Sequence, residues 1–331
     1  GVLHYMIHSY DDPIHAPLGL RAARRYGAVA PDAPHALHMT SHIFIALGMW
    51  DEVIAANQNA WRVGNALRAA RGRPPTACGH GITWLTYGYL QEGRDAEAAR
   101  IVAGCRVAAA AGLTAPRPAG ADPDRSAVGS YVFMRLLQTV ETGRREPAET
   151  LILPAAGYEW PAFNDAYGEA VAALKANDGE RLKAAATRLA ALAPSVRAEL
   201  TAEGNDRRAD RESIEVMVGE MAAAAQIRAG DVEAGLAALR KAAQSESDMP
   251  MEFGPPAVAL PAWELLGEEL LRAGKPADAA AAFRNALARA PGRSRSLQGM
   301  ARSADLAGDA SAAAKARTEL ARYPRGGEAG R

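Results

Sequence analysis

All seven histidines of this 331-residue chain lie between His4 and His80, and the spacing of four of them could build a metal site. His4 and His8 are four residues apart, as are His38 and His42, which places each pair on one face of a helix. The interval from His4 to His38 equals the interval from His8 to His42, so the two pairs are related by one fixed period. Imidazoles on two neighbouring helices can supply three or four nitrogen ligands to one transition metal. The spacing therefore predicts a metal site formed by the two pairs.

Two carboxylates follow the first pair closely. Asp11 is three residues after His8 and Asp12 is four residues after it, so at least one of them can share that helix face. A carboxylate at this position could bind the metal, orient a histidine ring or accept a proton during a reaction. Asp11 is therefore a secondary candidate for a metal ligand, and Asp11 and Asp12 are the candidate catalytic residues.

The remaining histidines have different expected roles. His35 precedes His38 by about one helical turn on the same face, and His80 takes the corresponding position in the next repeat. Both are secondary candidates for metal ligands. His15 follows the Asp12–Pro13 turn and is expected at the surface or at a helix cap.

The predicted cofactor is one or two divalent transition-metal ions. Nitrogen ligands alone do not choose among Zn, Cu, Fe, Mn and Ni. Neither histidine pair carries the Glu of the H-E-x-x-H motif, so a simple metalloprotease is not supported. A metal with an open position could acidify water or activate dioxygen, which leaves a hydrolase or an oxidoreductase acting on a small molecule or peptide. The alternative is a non-catalytic scaffold whose groove binds a protein or peptide partner.

Helices must position these side chains, and the composition favours helices. Hydrophobic residues make up 49% of the chain but aromatic residues only 6%, so the apolar content is mainly Ala and Leu. The clearest helix pair runs from Trp263 to Pro291, where Gly274 separates two helices and Pro276 opens the second. Small residues allow close approach of these helices and large ones fill the gaps: Gly267, Ala279 and Ala286, with Trp263, Leu266 and Phe283.

The spacing of Trp, Leu-Gly, Ala, Phe and Pro in this unit resembles the tetratricopeptide repeat, a helix–turn–helix of about 34 residues. The intervals between the histidine pairs and between Gly274 and Gly308 match this period, and Gly48 and Gly93 lie in similar predicted turns. The segments His4–Pro13 and His38–Phe44 also look like those of a group of bacterial tetratricopeptide-repeat proteins. The resemblance implies an all-α fold, a right-handed α-solenoid of roughly eight antiparallel helix pairs, some degenerate. It further implies that the histidine pairs line the concave groove, where this family binds ligands.

Breaks in the pattern suggest the domain organisation. We expect N-terminal repeats with the histidine-rich groove at 1–111, a linker or loop at 112–125, and C-terminal repeats at 126–331, all within one solenoid. A Pro/Gly-rich insertion is expected at 71–81. A long loop at 245–258 is expected to be a mobile surface loop, with a functional cover as the alternative.

Three groups of side chains outside the histidine cluster have expected structural roles. Trp160 and Phe163 are expected to pack in the core, with a wall for a substrate as the alternative. Glu220, Glu264 and Glu268 are expected to form a solvated acidic face of the C-terminal groove. Cys78 and Cys105 are expected to be free thiols, with Cys78 as a possible extra metal ligand.

The composition also excludes several classes of function. Lys plus Arg and Asp plus Glu each number 38, so the formal net charge is zero and a nucleic-acid partner is not expected. No apolar run reaches the roughly 18 residues needed to cross a membrane.

Free thiols slightly favour a cytoplasmic location, although the sequence does not fix the compartment. Because the chain starts at Gly1 within a predicted helix, we expect a processed or truncated start.

Overall fold

The structure, a computed structural model, describes residues 1–114, 126–145, 151–154, 157–202, 207–251 and 253–323. Within these ranges the chain forms fifteen helices and no strand, which confirms the predicted all-α class. The helices are α1 Val2–Ser9, α2 Ala16–Val29, α3 Pro34–Ala46, α4 Trp50–Ala69, α5 His80–Gln91, α6 Asp95–Thr114, α7 Ala127–Thr142, α8 Glu159–Lys175, α9 Gly179–Ala202, α10 Arg208–Arg228, α11 Val232–Asp248, α12 Ala262–Arg272, α13 Pro276–Arg289, α14 Ser294–Leu306 and α15 Ala310–Leu320.

Each helix packs mainly against the helices that precede and follow it in the chain. The helices predicted around Gly274 are present as α12 and α13, and small residues bring α12, α13 and α14 together around Phe283. A Cβ atom on Gly267 would lie 2.8 Å from the Phe283 ring, and one on Gly299 would overlap the ring. Close packing of this kind tolerates no added methyl group, so these two glycines set the spacing of the three helices.

The two ends of the array meet, so the N-terminal helices are not at a free end. The indole of Trp50 donates a hydrogen bond to the carbonyl of Gly292 at 2.9 Å, and the hydroxyl of Tyr323 donates to the carbonyl of Gly48 at 2.6 Å. Gly48 has a positive φ of 66°, and a Cβ atom there would overlap the backbone of Pro291. These contacts join the turn between α3 and α4 to the segments before α14 and after α15.

A buried ion network reinforces these contacts. Arg293, which directly precedes α14, is fully buried and donates to both oxygens of Glu264 on α12, at 2.8 and 3.1 Å. It also donates to the hydroxyl of Tyr87 on α5 at 2.9 Å and forms an ion pair with Glu141 on α7 at 2.8 Å. Burial alone would raise the pKa of Glu264, but Arg293 and Arg295 outweigh burial and lower this pKa to about 2. One guanidinium thus joins helices from both halves of the chain.

Several expectations about this region need correction. Glu264 and Glu220 are buried rather than part of a solvated acidic face, because Arg293 partners the first and Tyr167 donates a hydrogen bond to the second. Helix α6 continues to Thr114, into the start of the predicted linker. The rest of that linker lies outside the described residues, so the division at 112–125 stays a prediction. Among the described helices, none combines the length and apolar character needed to cross a membrane.

Replacing Arg293 with Met is expected to lower the free energy of unfolding by about 3–5 kcal/mol, because two buried carboxylates lose their main cation. Chemical denaturation would measure this loss. Arg317→Met is the control, since Arg317 pairs with Asp305 in an exposed position where an ion pair contributes about 1 kcal/mol or less. Equal losses in the two variants would contradict the role assigned to Arg293.

Candidate metal centre

Helix α3 carries the centre of the histidine cluster. It begins at Pro34, whose fixed φ suits the first helical position, and it packs against α1, α2 and α4. Eleven consecutive residues from Ala36 to Ala46 are buried, so the helix is enclosed on all sides. His38 and His42 are only 7% and 2% exposed. Their imidazoles therefore lie inside the protein.

Three of the predicted ligands come together around α3. His38, His42 and His80 each offer one ligand nitrogen, and these three atoms lie within 4.8 Å of one another. His80 is the first residue of α5 and is exposed, and its ring centroid lies 4.7 Å from that of His38. An ion bound at about 2.0–2.1 Å holds neighbouring nitrogens roughly 3–4 Å apart, so the three nitrogens are close enough together to share one ion.

Hydrogen bonds fix the state of the His38 ring. The side-chain nitrogen of Asn57 donates to the carbonyl of Val53 at 2.8 Å, which leaves the amide oxygen of Asn57 facing Nδ1 of His38 at 2.7 Å. Nδ1 of His38 must then carry the proton, and Nε2 carries a lone pair. Nε2 is buried and has no hydrogen-bond partner among the described residues.

Burial also keeps the two buried rings neutral. It lowers the pKa of His38 to about 3, an effect that the nearby imidazoles of His80 and His42 increase and the bond to Asn57 opposes. Burial lowers the pKa of His42 as well, against the opposing charge of Asp11. A neutral imidazole is the form that binds a metal, so both rings are ready to do so near neutral pH.

A second group of possible ligands shares His42. One carboxylate oxygen of Asp11, Oδ2, lies 3.1 Å from Nδ1 of His42 and 3.2 Å from Nδ1 of His8. The ligand atoms of these three residues lie within 4.8 Å of one another. The rings of His8 and His42, which are one predicted repeat apart, have centroids separated by 5.3 Å.

The other sequence candidates lie at or beyond the edge of these groups. Nε2 of His4 lies 3.2 Å from Nε2 of His35, so this pair faces each other rather than His38. Asp12 bonds to His15 at 2.7 Å and accepts the backbone N–H of Ile14 at 2.9 Å, in the turn that precedes α2. The structure thus places Asp12 and His15 in a local turn rather than beside the two groups.

A cavity of about 610 Å³ lies beside the first group. Five histidines contribute to its wall, and four aromatic side chains form much of the remainder: Trp84, Phe133, Trp160 and Phe253. Trp160 packs against the core, with its ring stacked on the fully buried Phe163, and it also forms part of the cavity wall. A cavity of this volume suits a small organic molecule.

The segment formed by residues 249–251 and 253–261 lies over part of the histidine cluster. The ring of Phe253 lies 4.7 Å from that of His42 and 5.9 Å from that of His8, measured between centroids. Gly254 lies so close to Trp84 that a Cβ atom would sit 2.7 Å from the indole. Met249 and Val258 on either side are buried. The described part of the predicted 245–258 loop therefore packs against the histidine cluster, while residues 245–248 belong to α11. A role as a functional cover stays a prediction.

The two cysteines form a disulfide between Cys78 and Cys105. The expectation of free thiols is wrong, and Cys78 is not available as a metal ligand. The bond joins the segment before α5 to α6, two residues ahead of His80, and so restrains the start of the helix that carries His80. Cysteine usage therefore no longer favours a reducing compartment.

Comparison with models of known protein families gave no match for this chain. Comparison with curated proteins also gave no match. The case for a function therefore depends on the geometry of the site itself.

Asn57, Trp84 and Phe253 were not among the sequence candidates. Asn57 is a polar residue among apolar ones on the inner face of α4, where it lies four residues after Val53, and this position was a usable signal. Trp84 follows His80 by four residues and so shares its helix face, and this spacing was also a usable signal in the sequence. Phe253 is far from the histidines in sequence, and no local pattern connects it to them.

Replacing Asn57 with Ala is expected to weaken Zn(II) binding about 10–100-fold, because His38 would lose the bond that fixes its proton on Nδ1. Isothermal titration of the chelator-treated protein would measure the change. Asn65→Ala is a matched control on the same helix, since Asn65 bonds to Thr76 instead of a histidine. If Asn57→Ala binds Zn(II) as tightly as the control, His38 needs no such orientation.

Proposed function

We propose that this protein is a metal-dependent enzyme that acts on a small molecule in its histidine-lined cavity. The observation that carries the proposal is the state of His38. Its ring is buried, Asn57 holds its proton on Nδ1, and its Nε2 has a lone pair and no partner among the described residues. A buried polar atom of this kind costs roughly 1–3 kcal/mol unless something binds it, and a metal ion is such a partner.

The ligand set supports catalysis rather than a purely structural metal. His38, His42 and His80 would supply three nitrogens, which leaves at least one coordination position for water or substrate. The cavity wall includes these three histidines, so that position can face the cavity. A bound ion would act as a Lewis acid or activate a small ligand, and hydrolysis and oxidation both remain within its range. Asp11 lies against His42 and is the nearest candidate proton acceptor.

The cavity favours a small, largely apolar substrate over a peptide. Its aromatic rings present apolar faces, while Thr83, Ser130 and Asn164 offer neutral hydrogen-bonding groups. No Lys or Arg occurs among the described residues that line it, and its one Asp outside the histidine groups, Asp210, is paired with Arg207. A groove that grips peptides usually carries basic or amide groups along its length. The lining thus supports a neutral molecule whose polar group reaches the metal.

The fold proposal goes with this function. We assign the chain to the tetratricopeptide-repeat superfamily, as a right-handed solenoid of antiparallel helix pairs. Sequential packing of the helices and the Gly274 turn support this assignment. The meeting of the two ends supports a modified form in which the concave groove has become a covered cavity. An open groove would favour the scaffold function instead.

Metal content tests the proposal directly. Protein purified without chelators is expected to hold at least one transition-metal ion per chain by elemental analysis. Replacing His80 with Ala is expected to weaken Zn(II) binding at least about 10-fold, because a ligand is lost. His80 is exposed, so the change should not disturb folding.

His15→Ala is the matched control, because His15 is also exposed but bonds to Asp12 in a turn. It is expected to bind Zn(II) like the wild type. Wild-type protein with less than about 0.1 ion per chain, and no Zn(II) uptake on titration, would rule out the metal centre.

The cavity is tested with metal-free protein. Neutral ring compounds such as phenol and indole are expected to quench tryptophan fluorescence saturably, and benzoate is expected to bind more weakly because no Lys or Arg among the described lining residues can pair with its carboxylate. Trp160→Ala should weaken phenol binding several-fold, whereas Trp61→Phe, outside the cavity, should not. Equal binding of phenol and benzoate, or no binding of either, would contradict the proposed substrate class.

A further inference from the structure

The histidine cluster is larger than one metal ion can use. Six imidazoles form a continuous row of ring contacts with centroid separations between 4.7 and 5.3 Å, in the order His35, His4, His8, His42, His38 and His80. Asp11 lies against the middle of this row. A zinc or related ion binds four to six ligands and usually takes three or four from protein. Seven candidate ligands in contact exceed that number.

The position of Asp11 indicates which of the remaining candidate ligands could bind a second ion. Its Oδ2 atom faces two ring nitrogens at once, Nδ1 of His8 and Nδ1 of His42. Both separations, 3.2 and 3.1 Å, lie at the long end of the usual range, about 2.7–3.2 Å, of an N–H···O hydrogen bond. Asp12 and His15, on the same stretch of chain, show the shorter distance of 2.7 Å.

Separations of this size match the edges of a metal coordination sphere. An ion with ligands at about 2.0–2.2 Å places neighbouring ligand atoms roughly 3.0–3.5 Å apart. The two contacts of Asp11 fall in that range. The side chains of His8 and Asp11 are 38% and 13% exposed, so water can complete the sphere from outside. The chemistry of one carboxylate and two imidazoles suits a divalent transition metal.

We propose that a second divalent transition-metal ion binds between His8, Asp11 and His42, next to the ion at His38, His42 and His80. This inference rests on the proposed metal centre, because both groups include His42. An imidazole has two nitrogens, so His42 serves one ion with each and links the two. Binding of the second ion displaces the ring proton at the nitrogen that it occupies, and that proton leaves to water.

The linked pair gives the two ions different surroundings. Both groups border the cavity, the first through all three of its histidines and the second through His8 and His42, whereas Asp11 is not part of that wall. The first position suits contact with substrate. The second supplies positive charge beside it and holds Asp11 as a ligand, so Asp11 would then no longer serve as the proton acceptor. His4 and His35 extend the row beyond the second position.

The number of ions per chain tests this inference. Protein stripped with chelator is loaded with Zn(II), freed of unbound metal by gel filtration and measured by elemental analysis. Wild type is expected to hold two ions per chain, His8→Ala one and His80→Ala one. The double variant is expected to hold none. Loading with Co(II) adds a spectroscopic check, because each single variant should keep a different part of the wild-type visible absorption.

His15→Ala is again the control and is expected to hold two ions. His8 and His80 are both exposed, and thermal melts of the stripped variants would confirm that they fold. One ion in wild type, unchanged in His8→Ala, would overturn the second site and leave the first intact. Two ions in His8→Ala would place the second ion elsewhere and also overturn the inference. No ion in wild type would instead remove the proposed metal centre.

Discussion

The site depends on the buried ring of His38, in which only one of the two nitrogens has a hydrogen-bond partner among the described residues. Asn57 fixes the proton of His38 on Nδ1, and burial holds the ring neutral, so Nε2 is a lone-pair donor with no protein partner among the described residues. Leaving such an atom buried costs stability. Such an atom is available to a bound partner, and a neutral imidazole with a fixed tautomer is suited to coordinate a metal.

Closure of the helical array makes this burial possible. An open row of helix pairs would expose the inner face of α3 to water. Here the turn at Gly48 packs against Pro291, and Arg293 ties α5 to α7 and α12, so helices from both halves of the chain are held against each other. The 249–261 segment then lies over His42 through Phe253. The ion network and the histidine cluster consist of different side chains. The ion network holds together helices that shield the histidine cluster.

The sequence predicted the helical class and the contacts between histidines that are four residues or one period apart. It did not predict contacts between residues that are far apart along the chain. Spacing by four residues placed His38 and His42 on one face, and the equal interval between the two pairs placed His8 near His42. The approach of His80 depends on the path of the 71–79 insertion, which the Cys78–Cys105 bond restrains and no periodicity describes. Phe253 and Arg293 contact partners that are far away along the chain, so only tertiary packing brings them to the centre.

The surroundings of the cluster decide between a structural and a chemical role for a metal. The core of this array is a large continuous set of buried apolar side chains, which helical packing forms without a metal. A structural ion would be enclosed by four protein ligands. The three-histidine group instead borders a cavity of about 610 Å³ with aromatic walls. A cation held by these three histidines would lie beside the aromatic rings and neutral polar groups of the cavity, where it could act on a bound ligand. The position of the three histidines beside the cavity therefore fits the proposed catalytic role better than a purely structural one.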